Sequence, residues 1–148
     1  MKKFVFKFLA VLETRKKDEE NSLRLLSMAR RAHQHAVDGK MKSIAELQKM
    51  IETKRSGSKV DIHGLQMEQT YILGTKQKIV QADQGIFKAN KAVQKAFRDY
   101  LGTRKKRMAM ETLQRQSFEE HKRNALKEEQ KKLDDLQIMR TRLKEDSF

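Results

Sequence analysis

The apolar residues fall into two heptad series separated by one polar stretch. Counting from Leu9 in alternating steps of three and four gives Leu9, Leu12, Lys16, Glu19, Leu23, Leu26, Arg30, His33, Val37, Lys40, Ile44, Leu47, Ile51 and Lys54. Eight of these fourteen positions are apolar, and Ala29, Ala32 and Ala36 lie beside them, which predicts a coiled coil with polar layers rather than a globular amphipathic helix. Lys16 and Glu19 can offset one another within that seam. The stretch Lys54-Arg55-Ser56-Gly57-Ser58-Lys59-Val60-Asp61 then breaks the pattern, because Ser and Gly favour turns and Asp61 can cap a following helix.

Beyond the break, Leu65, Ile72, Ile79, Ile86, Val93 and Tyr100 recur at an interval of seven, and Ala82, Ala89 and Ala96 follow the middle ones by three. Large residues at one seam position and small ones at the other let two backbones approach and interdigitate. A short connection makes sequential helices antiparallel neighbours, so the first helix is the simplest partner. Val80, Phe87 and Leu101 widen the apolar face beyond what a two-helix pair covers, which calls for a further partner. The heptad is read as losing phase near Gly102 to Arg107, with a new one emerging as Leu126, Glu129, Leu133, Leu136, Arg140 and Leu143. The expected product is all-α: an antiparallel two-helix coiled-coil hairpin with a longer second helix. It forms a single domain over 1–148, with helix one at about 6–55, the tip at about 56–61 and helix two at about 62–145. At 1.5 Å per residue the second helix exceeds about 100 Å against about 75 Å for the first. Its last forty or so residues therefore overhang the hairpin, either as a lone helix awaiting a partner, the expectation preferred here, or as a fraying end.

Composition agrees. With 36% charged and 37% hydrophobic residues the chain has too little apolar matter for a thick core, while the complete absence of Pro and the dominance of good helix formers favour long helices over disorder. No cysteine is present, which excludes disulfides, thiolate nucleophiles and thiolate metal sites. The formal net charge of +14 favours acidic partners: nucleic acid, anionic lipid or an acidic protein surface. The opening MKKFVFKFLAVLETRKK has a basic start, but Lys7 splits its apolar run and no small-residue cleavage site follows, so a soluble helix start is expected rather than a signal peptide. No stretch reaches the roughly 20 apolar residues of a spanning helix.

Little of the sequence points to catalysis. His33 and His35 are two apart and do not share a helix face. His63 and His121 are single surface or seam residues, and Gly74-Thr75-Lys76 lacks the spacing of a phosphate loop. Asp134 and Asp135 diverge around the helix. The cluster Arg104 to Arg107 is the best nucleic-acid candidate, although no aromatic residue is interleaved for base stacking. No cofactor or metal site is expected, and the eight Met residues read as gap fillers or as an adaptable surface.

One stretch is more specific. Phe4-x-Phe6-x-Phe8, then Val11-Leu12, Arg15 and Glu19, resembles the start of the flagellar export protein FliJ family, with Phe8 where that family usually has Leu. Ala29-Arg30-Arg31-Ala32 and the Lys/Glu/Gln-rich end around Leu133-Asp134-Asp135-Leu136 are similar to it as well. The resemblance implies a hairpin like the central stalk of rotary ATP synthases, without catalysis of its own. It implies that the end bearing both termini enters the hexameric flagellar export ATPase and that the tip side meets the cytoplasmic domain of the export-gate membrane protein. Export chaperones are further implied partners. The implied location is cytoplasmic, peripheral at the inner membrane beneath the flagellum. Carried over by position, Phe4, Phe6, Leu12, Arg15 and Glu19 belong to the ATPase-facing end, and Tyr71, Thr75, Lys78 and Ala82 to the export-gate side, with the matching surface of the first helix near Gly39 to Met50. The alternative is a basic coiled-coil protein that binds nucleic acid or serves as a structural interaction element.

Overall fold

In a computed structural model, which describes residues 2–55 and 61–147, the chain forms two helices, α1 (Leu9–Arg55) and α2 (Ile62–Glu145). Residues 56–60 of the expected tip lie outside the described residues. Helix α1 starts without a polar cap. The Phe6 carbonyl accepts from the Leu9 N–H at 3.3 Å and the Phe8 carbonyl from Leu12 at 3.0 Å. Helix α2 is capped by Asp61, whose carboxylate accepts from the Ile62 N–H at 2.8 Å while its carbonyl accepts from Leu65 at 3.0 Å. Arg142 and Lys144 occupy its last turn, where cations complement the helix dipole. The fold is an antiparallel two-helix hairpin whose second helix is the longer. By its contacts the chain divides into one unit of residues 19–102 and another of residues 1–18 with 103–148.

Within the 19–102 unit the Lys40 ammonium meets the Asp83 carboxylate at 2.5 Å, while Lys49, Met50 and Thr53 lie near Met67, Tyr71 and Ile72. Descending numbers on α1 thus meet ascending numbers on α2, as an antiparallel pair requires. On α2 the covered positions from residue 72 on include Ile72, Thr75, Ile79, Ala82, Ile86, Ala89, Val93, Ala96 and Tyr100, the expected series with Thr75 added, whereas the expected first member, Leu65, is exposed and Gly64 and Glu68 are partly covered in its place. On α1 only half of the expected seam is covered: Glu19, Leu26, His33, Lys40 and Leu47 face inward. The other half is corrected by one residue. Ser22, Ala29, Ala36, Ser43 and Met50 are turned inward, whereas Lys16, Leu23, Arg30 and Ile51 are exposed, and Val37 and Ile44 flank the seam.

The reason is steric. Asp83 flanks Ala82, so Lys40 shares a layer with Ala82, and heptad steps from there set Leu26 across from Ala96 and Leu47 across from Thr75. Met50 and Ile72 line one groove, and heptad steps from them set Ala36 across from Ile86 and Ala29 across from Val93. Each of these four stepped layers combines one large and one small side chain, which keeps its volume constant and brings the backbones together. Placing Leu23 or Ile51 inward would put large against large.

In the other unit the expected loss of phase near Gly102 does not occur. Thr103, Arg107, Met110, Gln114, Ser117 and His121 continue the three-four spacing and remain partly covered, so the seam persists with polar residues. Hydrophobicity fails there before packing does. Arg107 lies along this face and pairs with Glu111 at 2.8 Å, so its aliphatic stem takes the place of an apolar residue. Every residue from Leu126 to Ser147 is exposed.

Two positions three residues apart should respond in opposite senses. A Cβ added at Gly85 meets nothing within 4 Å, so Gly85→Ala should stabilise the hairpin by about 0.5–1 kcal/mol through helix propensity. Ala82→Leu enlarges a small seam position and should cost about 1–3 kcal/mol. Urea denaturation followed by circular dichroism measures both.

Candidate interaction surfaces

Two surfaces gather the residues singled out from the sequence. The first belongs to the unit of residues 1–18 and 103–148. Its leading segment, residues 2–6, lies ahead of α1 outside any helix, and exposure alternates along it. Phe4 and Phe6 turn inward, while Val5 and Lys7 face out. The Phe4 ring meets Phe118 edge-on at 5.2 Å and His121 at 5.4 Å, and the His121 Nε2 lies 3.1 Å from the Lys2 carbonyl oxygen. Such edge-on aromatic pairs contribute about 0.5–1.5 kcal/mol beyond area burial. Phe6 is 6% exposed and Leu12 only 2%, so both are spent on packing. Phe8 contacts Phe6 at 6.0 Å and is itself exposed beneath the Lys7 ammonium, 5.8 Å from the ring centre. Arg15 is half-buried at a covered position of α1, and Glu19, half-buried as well, belongs to the 19–102 unit.

The second surface lies in the 19–102 unit around Tyr71, which is 52% exposed. Tyr71 and Met67 separate two shallow grooves. One, of about 460 Å³, is lined by α2 residues Gln66, Thr70, Gly74, Thr75 and Lys78. The other, of about 490 Å³, is lined by Lys49, Met50 and Thr53 of α1 with Glu68 and Ile72 of α2. Thr75 is 4% exposed, its hydroxyl donating to the Tyr71 carbonyl at 2.9 Å, so it forms groove floor rather than contact surface. Lys78 is exposed and Ala82 is half-buried in the seam. The structure thus brings Tyr71, Thr75 and Lys78 to one groove and leaves Ala82 one turn beyond it. Sequence reasoning passed over Met67, which is exposed and shared by both grooves. Its spacing of four from Tyr71 put it on the same helix face and was the available signal.

Other candidates fare differently. In the basic cluster Arg104, Lys105 and Lys106 are exposed, but Arg107 is turned toward the seam and paired with Glu111, which breaks up a contiguous phosphate-binding face. His33 is half-buried in the seam and His35 exposed, and among the described residues no three His, Asp or Glu side chains gather to hold a metal. No described helix is long and apolar enough to cross a membrane.

Paired helices with one narrow seam, and grooves opening on partly exposed aromatic and methionine side chains, define a coiled-coil hairpin protein. The chain matches the family model described as "Flagellar FliJ protein" over residues 4–146, and it belongs to that family, which ties it to flagellar protein export. No curated protein and no solved structure matches it.

The burial of Phe6 and the exposure of Phe8 separate two substitutions of the same kind. Phe6→Ser should cost the 1–18/103–148 unit about 3 kcal/mol or more, and Phe8→Ser under about 1 kcal/mol. Amide hydrogen exchange should show faster exchange around residues 9–15 in the first variant only, with residues 79–96 unchanged in both.

Proposed function

We propose that the chain is the stalk and adaptor of the flagellar type III export ATPase complex, inserting into the hexameric ATPase ring and linking it to the cytoplasmic domain of the export-gate membrane protein. The family match over residues 4–146 carries this reading, and the hairpin architecture and grooves support it. The chain performs no catalysis and needs no cofactor. It acts by contact, since a partner's conformational equilibrium shifts when one state is bound better than another. It works in the cytoplasm, peripheral to the inner membrane at the flagellar base, with export chaperones as further partners.

The proposed ATPase-facing residues divide by burial. Phe6 and Leu12 hold the leading segment in place, and Phe4, Arg15 and Glu19 act from partly covered positions beside exposed Val5, Lys7 and Phe8. On the gate side Tyr71 and Lys78 supply contact, while Thr75 and Ala82 set the floor and backbone spacing behind them. A recessed groove with a half-exposed Tyr suits an apolar anchor from a partner, the arrangement in which single aromatic residues dominate binding.

The purified chain should hydrolyse no ATP and should stimulate hydrolysis or ring assembly by its cognate ATPase; unchanged activity together with no co-purification sinks the reading. Tyr71→Ala should weaken binding to the export-gate cytoplasmic domain by about tenfold or more while ATPase stimulation stays within about twofold of the parent, as expected when one anchor is removed at a separate surface.

A further inference from the structure

The exposed end of α2 carries a second seam that the hairpin does not use. From Leu126 onward every described residue is exposed, so α1 covers none of them. The face that packs earlier, extended in the same phase, reads Glu128, Lys131, Asp135, Ile138 and Arg142 and is polar at four of these five positions. The four leucines of this stretch instead fall on the heptad Leu126, Glu129, Leu133, Leu136, Arg140 and Leu143, shifted by two residues, or about 200° around the helix. This seam faces away from the one that builds the hairpin.

We propose that residues 126–143 pair with the same residues of a second copy of this chain, antiparallel, about a two-fold axis between Asp134 and Asp135. The heptad is self-complementary in that orientation alone. Antiparallel coiled coils match each seam position with the other type across the axis. Leu126 then meets the second copy's Leu143, Leu133 meets its Leu136, and Glu129 meets its Arg140. All six layers are satisfied: four Leu–Leu and two Glu–Arg. A parallel pairing would instead stack Glu129 on Glu129 and Arg140 on Arg140. The flanking positions agree, since Gln130 and Gln137 approach each other across the axis without like charges.

Net charge selects a copy of the chain over an acidic partner. Residues 126–147 carry six Lys and Arg against six Asp and Glu, so the +14 of the chain resides before residue 126 and the tail is neutral. Two strongly basic chains can therefore approach through this segment without mutual repulsion, and a nucleic acid gains nothing there. A lone helix of this length is marginal in water, and pairing supplies the cover that tertiary contacts give the rest of α2.

Sedimentation equilibrium on the full chain over micromolar to millimolar concentrations tests the pairing. The parent should show a reversible monomer–dimer equilibrium. Glu129→Arg alone, and Arg140→Glu alone, should each weaken it by about tenfold or more, because each substitution creates two like-charge layers by symmetry. The double variant Glu129→Arg/Arg140→Glu should return to within about threefold of the parent, with helicity by circular dichroism the same in all four proteins when it is read at a concentration low enough for each to be monomeric. A parent that stays monomeric at millimolar concentration overturns the proposal. So does a dimer indifferent to the single substitutions, or a double variant that remains as weak as the singles.

Discussion

Everything in this molecule depends on one packing constraint: two helices must bury a single narrow seam against each other with no third layer to share the load. Among the described residues, Phe6, Leu12 and Leu26 are the only buried apolar side chains, and Thr75 the only buried polar one. Such a seam cannot win by area. It wins by fit, with Leu26 and Leu47 set against Ala96 and Thr75, and Ile86 and Val93 against Ala36 and Ala29. Dispersion contacts fall off steeply with separation, so a small residue opposite a large one keeps both backbones close enough to count. That constraint explains why Lys40 is tolerated at a seam position: its stem fills the layer and its ammonium reaches Asp83 at the flank.

The same constraint explains what could and could not be read from the sequence. The second helix was legible because its large residues, Ile72 to Tyr100, recur every seven and its small ones are alanines of obvious purpose. On the first helix a count that rewards large apolar residues selected Leu23, Val37 and Ile51. The chain leaves Leu23 and Ile51 exposed and partly covers Ser22 and Met50 instead, while Val37 and its neighbour Ala36 are both partly covered, because complementarity to the partner outweighs intrinsic hydrophobicity. Polar continuation misled in a different way. Gln114, Ser117 and His121 look like surface in isolation, yet their spacing from Tyr100 keeps them on the covered face. The interaction surfaces were legible only in part. Resemblance to a family pointed to Tyr71, but Met67 needed its neighbours across the groove before it mattered, and Phe6 is buried from a segment ahead of α1 that no helical count describes, whereas Leu12 stood on the expected seam.

A polar seam also has consequences for behaviour. The unit of residues 1–18 and 103–148 concentrates its apolar contacts at one end, where Phe6 and Leu12 are buried and Phe4 meets Phe118 and His121, and continues with polar Thr103, Gln114 and Ser117 on the covered face. Local stability follows the density of buried apolar contacts. Within that unit, opening therefore costs less along the polar stretch than around Phe6 and Leu12, and four of the residues proposed to meet the ATPase, Phe4, Phe6, Leu12 and Arg15, belong to this unit while Glu19 begins the other.

Net charge is unevenly distributed along α2, and the unevenness divides labour. Long-range attraction requires net charge and is screened within about 8 Å at physiological ionic strength. The basic region before residue 126 can gather an acidic surface from solution but cannot discriminate finely among such surfaces. The neutral segment after it attracts nothing from a distance and discriminates by layer identity, since a mismatched Glu129 or Arg140 is penalised at contact. A chain with both properties on one helix separates encounter from selection. Even distribution of the same charges would have weakened the selection step, because an excess of one sign spread into residues 126–143 would repel a second copy before any layer could form.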